Sequence, residues 1–107
     1  MGHTFGDKVI KEVAKIAAES LREMDSIGRY GGEEFLAIFP NTNQEGAFLV
    51  CERIRKSVEE YDFGTGYSVT ISVGISSEYR DGIIELIDKA DKKLYEAKNS
   101  GRNRTEC

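Results

Sequence analysis

Two glycines run directly into two carboxylates at Gly31-Gly32-Glu33-Glu34, and apolar segments flank them. Ile27 and Tyr30 stand before, Phe35, Leu36, Ile38 and Phe39 after. The flanks read as two β-strands joined by a two-residue Gly-Gly turn, because glycine alone takes positive φ without strain. The tip would then offer bare backbone for close approach of a ligand, beside paired acids able to hold a divalent metal or move a proton. Such a tip suits chemistry on a phosphorylated ligand. The plainer alternative is a solvated acidic hairpin.

The elements that must hold this tip follow from periodicity. Gly6-Asp7 opens a helix with Val9, Val13, Ile16, Ala17, Leu21 and Met24 on one face at steps of three and four. Residues 26–40 form the hairpin. Thr42 with Glu45 three places on has capping-box form and starts a second helix with Ala47, Cys51, Ile54 and Val58 inward. Residues 68–76 alternate strictly, Val69, Ile71, Val73 and Ile75 on one face, as a half-buried strand does. Asp81 can cap a third helix through Ile83, Ile87, Ala90, Leu94 and Ala97, stopped at Asn99-Ser100-Gly101. Residues 102–107 complete the order as a short edge strand. The expectation is a single α+β domain over residues 1–107, with helices packed on a mainly antiparallel sheet. The first helix has no strand before it, so its apolar face must find a sheet made of later segments.

At 107 residues the chain is one domain, able to bury roughly two-thirds of its unfolded surface. No apolar run approaches membrane-spanning length and no secretory leader pattern appears, so a cytoplasmic protein is expected. Cys51 and Cys107 lack metal-ligand spacing and are expected to be reduced. A net charge of −4 argues against general DNA or RNA binding. Between Asp88 and Arg104, however, six basic residues face three acids. That local excess suits a small anionic ligand, or a solvated helix face.

At this point the residues resemble a known family. Gly31-Gly32-Glu33-Glu34-Phe35 resembles the signature of GGDEF domains, the bacterial diguanylate cyclases that join two GTP molecules into cyclic di-GMP. Gly2-His3-x-Phe5-Gly6-Asp7, Thr70-x-Ser72-x-Gly74 and Ala90-Asp91-x-x-Leu94-Tyr95-x-Ala97-Lys98-x-x-Gly101-Arg102-Asn103 resemble further family segments. The resemblance implies a nucleotidyl-cyclase, palm-like GGDEF fold. Family members open with an Asp-x-Asp-x-Phe-Lys-x-x-Asn-Asp strand and helix, which this sequence does not contain. That segment lies mid-sheet and supplies an aspartate metal ligand, so the resemblance implies a domain lacking its first strand.

Carried over residue by residue, the resemblance makes Glu34 a Mg²⁺ (or Mn²⁺) ligand and sets Glu33 at the reacting 3′-hydroxyl. There, one GTP's 3′-oxygen attacks the other's α-phosphorus and displaces pyrophosphate. Gly31 and Gly32 would let the nucleotide lie against backbone. Asp7 would accept from the guanine N1/N2 edge, or serve as a plain helix cap. Lys98 and Arg102 would hold the β- and γ-phosphates, although cations there also complement the helix dipole. Arg22 and Asp25, with Arg53 on the next helix, resemble an inhibitory site that binds the product cyclic di-GMP; alone, Arg-x-x-Asp is ordinary surface charge. Arg29 matches a recurrent position of underived role, and His3 carries no expected catalytic role.

Three expectations follow. The chain is the greater part of a diguanylate cyclase domain, which works as two copies face to face and is inactive or nearly so by itself. It is instead a non-catalytic cyclic di-GMP-binding module acting through Arg22, Asp25 and Arg53. Or it is a structural scaffold that self-associates, with a second copy lending a strand to an open sheet edge.

Overall fold

The computed structural model describes residues 5–31, 34–77 and 82–107. In order these form α1 (Phe5–Glu19), β1 (Ser26–Gly31), β2 (Glu34–Ile38), α2 (Gln44–Glu60), β3 (Val73–Gly74), α3 (Ile83–Asn99) and β4 (Thr105–Glu106). The α+β class holds, with one departure. The sheet is divided into an antiparallel β1–β2 hairpin and a parallel β3–β4 pair.

The helices pack as their spacing dictates. Val13 and Ala17 of α1 meet Ile54 and Val58 of α2 in a buried cluster, covered by Val9, Ile27 and Phe35 among others. A smaller cluster joins Ala47 and Cys51 of α2 to Ile75. All four α2 positions expected inward are buried. On α3 only Ala97 is fully buried, and Ile83, expected inward, is 46% exposed.

Several boundaries differ from expectation for local reasons. α1 stops at Glu19, so Leu21 packs on the core from outside the helix and Met24 is exposed. The Asp25 carboxylate takes the Arg22 backbone N–H at 2.8 Å, closing a turn that competes with further helix. The N-cap of α2 is Asn43, whose Oδ1 accepts from the Gly46 N–H at 2.8 Å, a contact worth about 1 kcal/mol. Thr42 is drawn away instead, its hydroxyl donating to the Pro40 carbonyl. α3 begins after Gly82 with no side-chain cap, and Asp81 lies outside the described residues.

The hairpin also shifts by one residue. Arg29 pairs with Phe35, but Gly31 pairs with Glu34, so Tyr30 is the extra residue of a bulge. Gly31 is therefore part of the ladder rather than of the turn, and Gly32 and Glu33 lie outside the described residues. Bulges of this kind bend a strand and re-aim its side chains.

The largest departure is the strand expected over residues 68–76. Only Val73 and Gly74 join a ladder, through Val73 N–H to Arg104 O and Ile75 N–H to Glu106 O, both 2.9 Å. Alternation marks a face to bury, but a ladder needs a neighbour. Among the described residues no strand pairs with 69–72. Residues 102–107 supply β4 as expected.

α3 sits hard against β3. A Cβ built on Gly74 would fall 2.2 Å from Leu94 N and 2.3 Å from Ala90 O, so only glycine lets helix and strand backbones come this close. Ser76 adds a hydroxyl bond to the Leu86 carbonyl. Together they fix the helix that carries Lys98.

Candidate functional site

A cavity of about 410 Å³ opens between the two half-sheets. Its walls are consecutive residues, 34–37 of β2 on one side and 69–74 on the other. A wall of consecutive rather than alternate residues presents backbone edges, not one pleated face. From β1 only Ile27 and Tyr30 reach it, so β2 is the strand nearer the gap. Val13 of α1, Ile54 of α2 and Leu94 of α3 close the interior.

Glu34, Asp91, Lys98 and Arg102 all line this cavity. Lys98 Nζ stands 3.7 Å from Glu34 Oε2, and both side chains are partly open to solvent. Arg102 lies just beyond the end of α3, with φ of 61°, its N–H donating to Ala97 O at 2.9 Å. Two carboxylates and two cations along a half-open cleft can receive an anion that carries its own metal.

Asp7 lies in the first turn of α1, inside the helix rather than at its cap. Its Oδ1 is 4.0 Å from Arg29 Nη1, which ties the helix start to β1. Asp7 is not among the residues lining the cavity. Gly31 is exposed, with open space where a side chain would be. Gly32, Glu33 and His3 lie outside the described residues.

Arg22 and Asp25 are joined at the surface. Arg22 Nε reaches Asp25 Oδ2 at 3.2 Å, and Nη2 reaches Oδ1 at 3.0 Å. Nη2 also donates to the Pro40 carbonyl at 3.1 Å and to the Thr42 hydroxyl. Arg22 itself remains about half exposed, whereas Asp25 is covered by its partner and its own turn although little protein surrounds it. The hydrogen bond from Arg22 holds the Asp25 carboxyl below its ordinary range and raises Arg22 in turn. Arg53 donates to the Ser20 carbonyl at 2.9 Å, two residues before Arg22, from the adjoining helix.

The residues present fit a metal only in part. Among the described residues no three His, Cys, Asp or Glu side chains converge. Glu34 brings a carboxylate within 3.7 Å of Lys98, and Mg²⁺ commonly takes one or two carboxylates with the rest of its shell from phosphate and water. The donor set thus fits a cation arriving with a nucleotide better than a resident ion.

One polar group escaped sequence reasoning. Arg55 of α2 makes two bonds to Glu52, at 2.9 and 2.8 Å, and donates to Asn103 Oδ1 at 2.9 Å. Asn103 donates onward to Glu59 at 2.9 Å. Its sequence signal was slight, an Arg three residues after one Glu and four before another on a helix, which usually marks solvated surface. Glu52 is held below its ordinary range chiefly by the Arg55 hydrogen bond. A lesser pull comes from the Thr105 hydroxyl, which is buried and falls short of a full hydrogen bond to any described residue. Cys51 and Cys107 are both free thiols, Cys51 buried and Cys107 exposed.

The β1–β2 hairpin with its Tyr30 bulge and α3 with its basic end meet at one cavity of an α+β domain, and comparison with known proteins gives its family. The family model for the GGDEF domain of diguanylate cyclases matches residues 1–104. Diguanylate cyclase A of Treponema denticola is 50% identical over 96% of this chain and 29% of its own length. The response regulator PleD of Caulobacter vibrioides is 40% identical over 95% of this chain and 24% of its own. The active GGEEF domain of a diguanylate cyclase from Vibrio cholerae superposes with a TM-score of 0.89 at 33% identity, covering 99% of this chain and 70% of that one. The GGDEF domain of DgcB from Caulobacter crescentus, solved with c-di-GMP, gives 0.86 at 31% identity, covering 98% and 66%. This chain belongs to the GGDEF domain family of diguanylate cyclases. It spans under a third of the length of these two curated relatives. Among the described residues no helix is long and apolar enough to cross a membrane.

Proposed function

We propose that this chain is a GTP-binding half-site of a diguanylate cyclase, two copies of which bring two GTP molecules together to make cyclic di-GMP and pyrophosphate. The observation that carries the reading is the meeting of Glu34, from the Gly-Gly-Glu-Glu hairpin, with Lys98 and Arg102 at one cavity. Lys98 and Arg102 hold the β- and γ-phosphates, and Glu34 takes the Mg²⁺ (or Mn²⁺) that accompanies them. When bound, that ion neutralises the triphosphate. Gly31 and Gly32 admit the nucleotide against backbone, Glu33 receives the proton of the attacking 3′-hydroxyl, and Asp7 accepts from guanine.

Turnover by this chain alone is expected to be slight. The sheet is split beside Glu34, and among the described residues no three His, Cys, Asp or Glu side chains converge to hold a metal. The test is to incubate purified chain with GTP and Mg²⁺ and chromatograph the nucleotides for cyclic di-GMP. Substantial product, abolished in Glu34→Ala, would overturn the expectation of inactivity and uphold the role of Glu34. No product, with Mg-GTP binding that depends on Lys98, supports a half-site without turnover.

A second reading is favoured by the pre-formed Arg22–Asp25 pair, a half-exposed guanidinium held beside a carboxylate, the two kinds of group that pair with a guanine edge. In it the chain captures cyclic di-GMP through Arg22, Asp25 and Arg53, as product inhibition or as a binding module. The cavity between the half-sheets favours self-association, with a strand from a second copy pairing against β2.

A further inference from the structure

Arg102 can serve a phosphate only if the short turn that carries it keeps one shape. That turn uses conformations that side-chain-bearing residues disfavour, with φ of 119° at Gly101, 61° at Arg102 and 47° at Asn103. Backbone bonds account for part of its hold, from Ser100 N–H to Glu96 O and from Arg102 N–H to Ala97 O, both 2.9 Å. The remainder comes from another helix. Asn103 accepts from Arg55 and donates to Glu59, so α2 grips the side chain next to Arg102 from both ends.

Arg55 is itself fixed. Its fork engages Glu52 twice, its Nη1 lies 3.6 Å from Glu59, and its side chain is only 13% exposed. Two carboxylates and an amide occupy the guanidinium, so the cluster is no anion receptor of its own. None of Arg55, Glu52, Glu59 and Asn103 lines the cavity. A network this ordered, set behind a strained turn, has the form of a support for the residue in front of it.

We propose that Arg55 and Asn103 are positioning residues that hold Arg102 in place for a nucleotide triphosphate, resting on the reading that Arg102 binds phosphate. Neither touches the ligand. Both act through the shape of the turn.

The test uses two variants of the whole chain. Asn103→Gly keeps the left-handed backbone at no steric cost and removes only the gripped amide. Arg55→Lys keeps the charge and loses the fork, so it is expected to behave like Asn103→Gly. Calorimetric titration with Mg-GTP should show either variant weakening affinity roughly three- to tenfold while Arg102 is present, with no further loss in an Arg102→Ala background. Hydrogen exchange at the Arg102 amide should quicken relative to the Val58 amide in the α2 core. Equal losses with and without Arg102 would mean general damage and overturn the proposal, as would unchanged exchange at Arg102. Faster exchange with affinity indifferent to Arg102→Ala would uphold the clamp and remove the phosphate reading of Arg102.

Discussion

Lys98 Nζ lies 3.7 Å from Glu34 Oε2, so a cation from the end of α3 and the signature acid of the hairpin face each other across one cavity. Both side chains are more than a third exposed, and such a pair is worth about 0–1 kcal/mol. It is weak enough for either partner to exchange the other for ligand. On the proposed function, the pair is a resting contact that a metal-bearing phosphate would open.

A reversal of sign follows for Glu34→Gln. Without divalent metal, the Glu34 carboxylate repels triphosphate and occupies Lys98, so its removal should tighten GTP binding by roughly threefold, a fraction of one charge pair's worth. With Mg²⁺ present the same variant should weaken binding by roughly tenfold, through loss of a metal ligand. Lys98→Ala should weaken binding under both conditions. Paired titrations in chelator and in Mg²⁺ check this; the same direction of change for Glu34→Gln in both would refute it.

Among the described glycines, Gly74→Ala should be the most damaging added methyl. The new Cβ would meet backbone atoms of Ala90 and Leu94 at 2.3 and 2.2 Å, and backbone cannot swing aside as a side-chain tip can. A loss of about 3 kcal/mol or more is expected, lowering the thermal midpoint by roughly 12 °C or more. A control at Gly28, where a Cβ meets nothing within 4 Å, should shift the midpoint far less.

Much of this arrangement was legible in sequence because local rules agreed with the fold. The α2 face at Ala47, Cys51, Ile54 and Val58 was read from spacing alone, and the hairpin from its two apolar flanks, although Gly31 falls in the ladder and not in the turn expected of it. Residues 69–72 were read as strand and form no ladder. Their alternation records a face to be buried, while pairing depends on a neighbour that the pattern does not encode. The Tyr30 bulge was equally hidden, since register is settled between strands. The Arg55–Asn103 contact joins residues 48 apart in sequence, and no local period announces such a pair. Asp25 ended α1 early because a side chain outcompeted the helix, and apolar spacing is silent on that contest.

At the surface site, cyclic di-GMP should lose roughly tenfold or more in affinity when Arg22 becomes Ala, the worth of one bidentate guanine contact. Asp25→Asn should lose affinity too, because the amide cannot accept from both guanine donors and no longer aligns the Arg22 fork. Mg-GTP binding at the cavity should be untouched by either change. Titration of each variant with both nucleotides separates the two sites. Unchanged affinity for cyclic di-GMP in Arg22→Ala would remove the second reading.

Acid should loosen the chain from two places. Glu52 and Asp25 are both held below their ordinary values, 4.5 and 3.8, chiefly by arginine hydrogen bonds. Depressed carboxylates stabilise the fold fully above those values and lose that contribution as pH falls through the lower folded ones. Stability should thus be flat near neutrality and fall below about pH 4.5. Glu52→Gln should be less stable at pH 7 and show a shallower acid decline. At the other end, burial pushes the Cys51 thiol from 9.0 up to about 11. A raised thiol stabilises below its ordinary value and loses that contribution as pH climbs toward 11, and Cys51→Ala should lack this alkaline limb. Denaturant midpoints measured across pH for the three proteins check both limbs.

The cavity between the half-sheets predicts concentration-dependent self-association. Residues 34–37 and 69–74 face it with consecutive backbone, and an edge whose N–H and C=O groups lack strand partners is a template for another strand. A strand taken from a second copy would satisfy both edges at once and cover Leu36 and Ile71, which now line open space. Light scattering should show dimer growing with protein concentration. Leu36→Lys or Ile71→Lys should hold the chain monomeric by placing a charge where the added strand would pack. Each lysine variant must keep the helical circular dichroism of the parent, so that loss of dimer is not loss of fold. A monodisperse monomer at every concentration would exclude strand exchange and leave the gap to close, if it closes, by rearrangement within one chain.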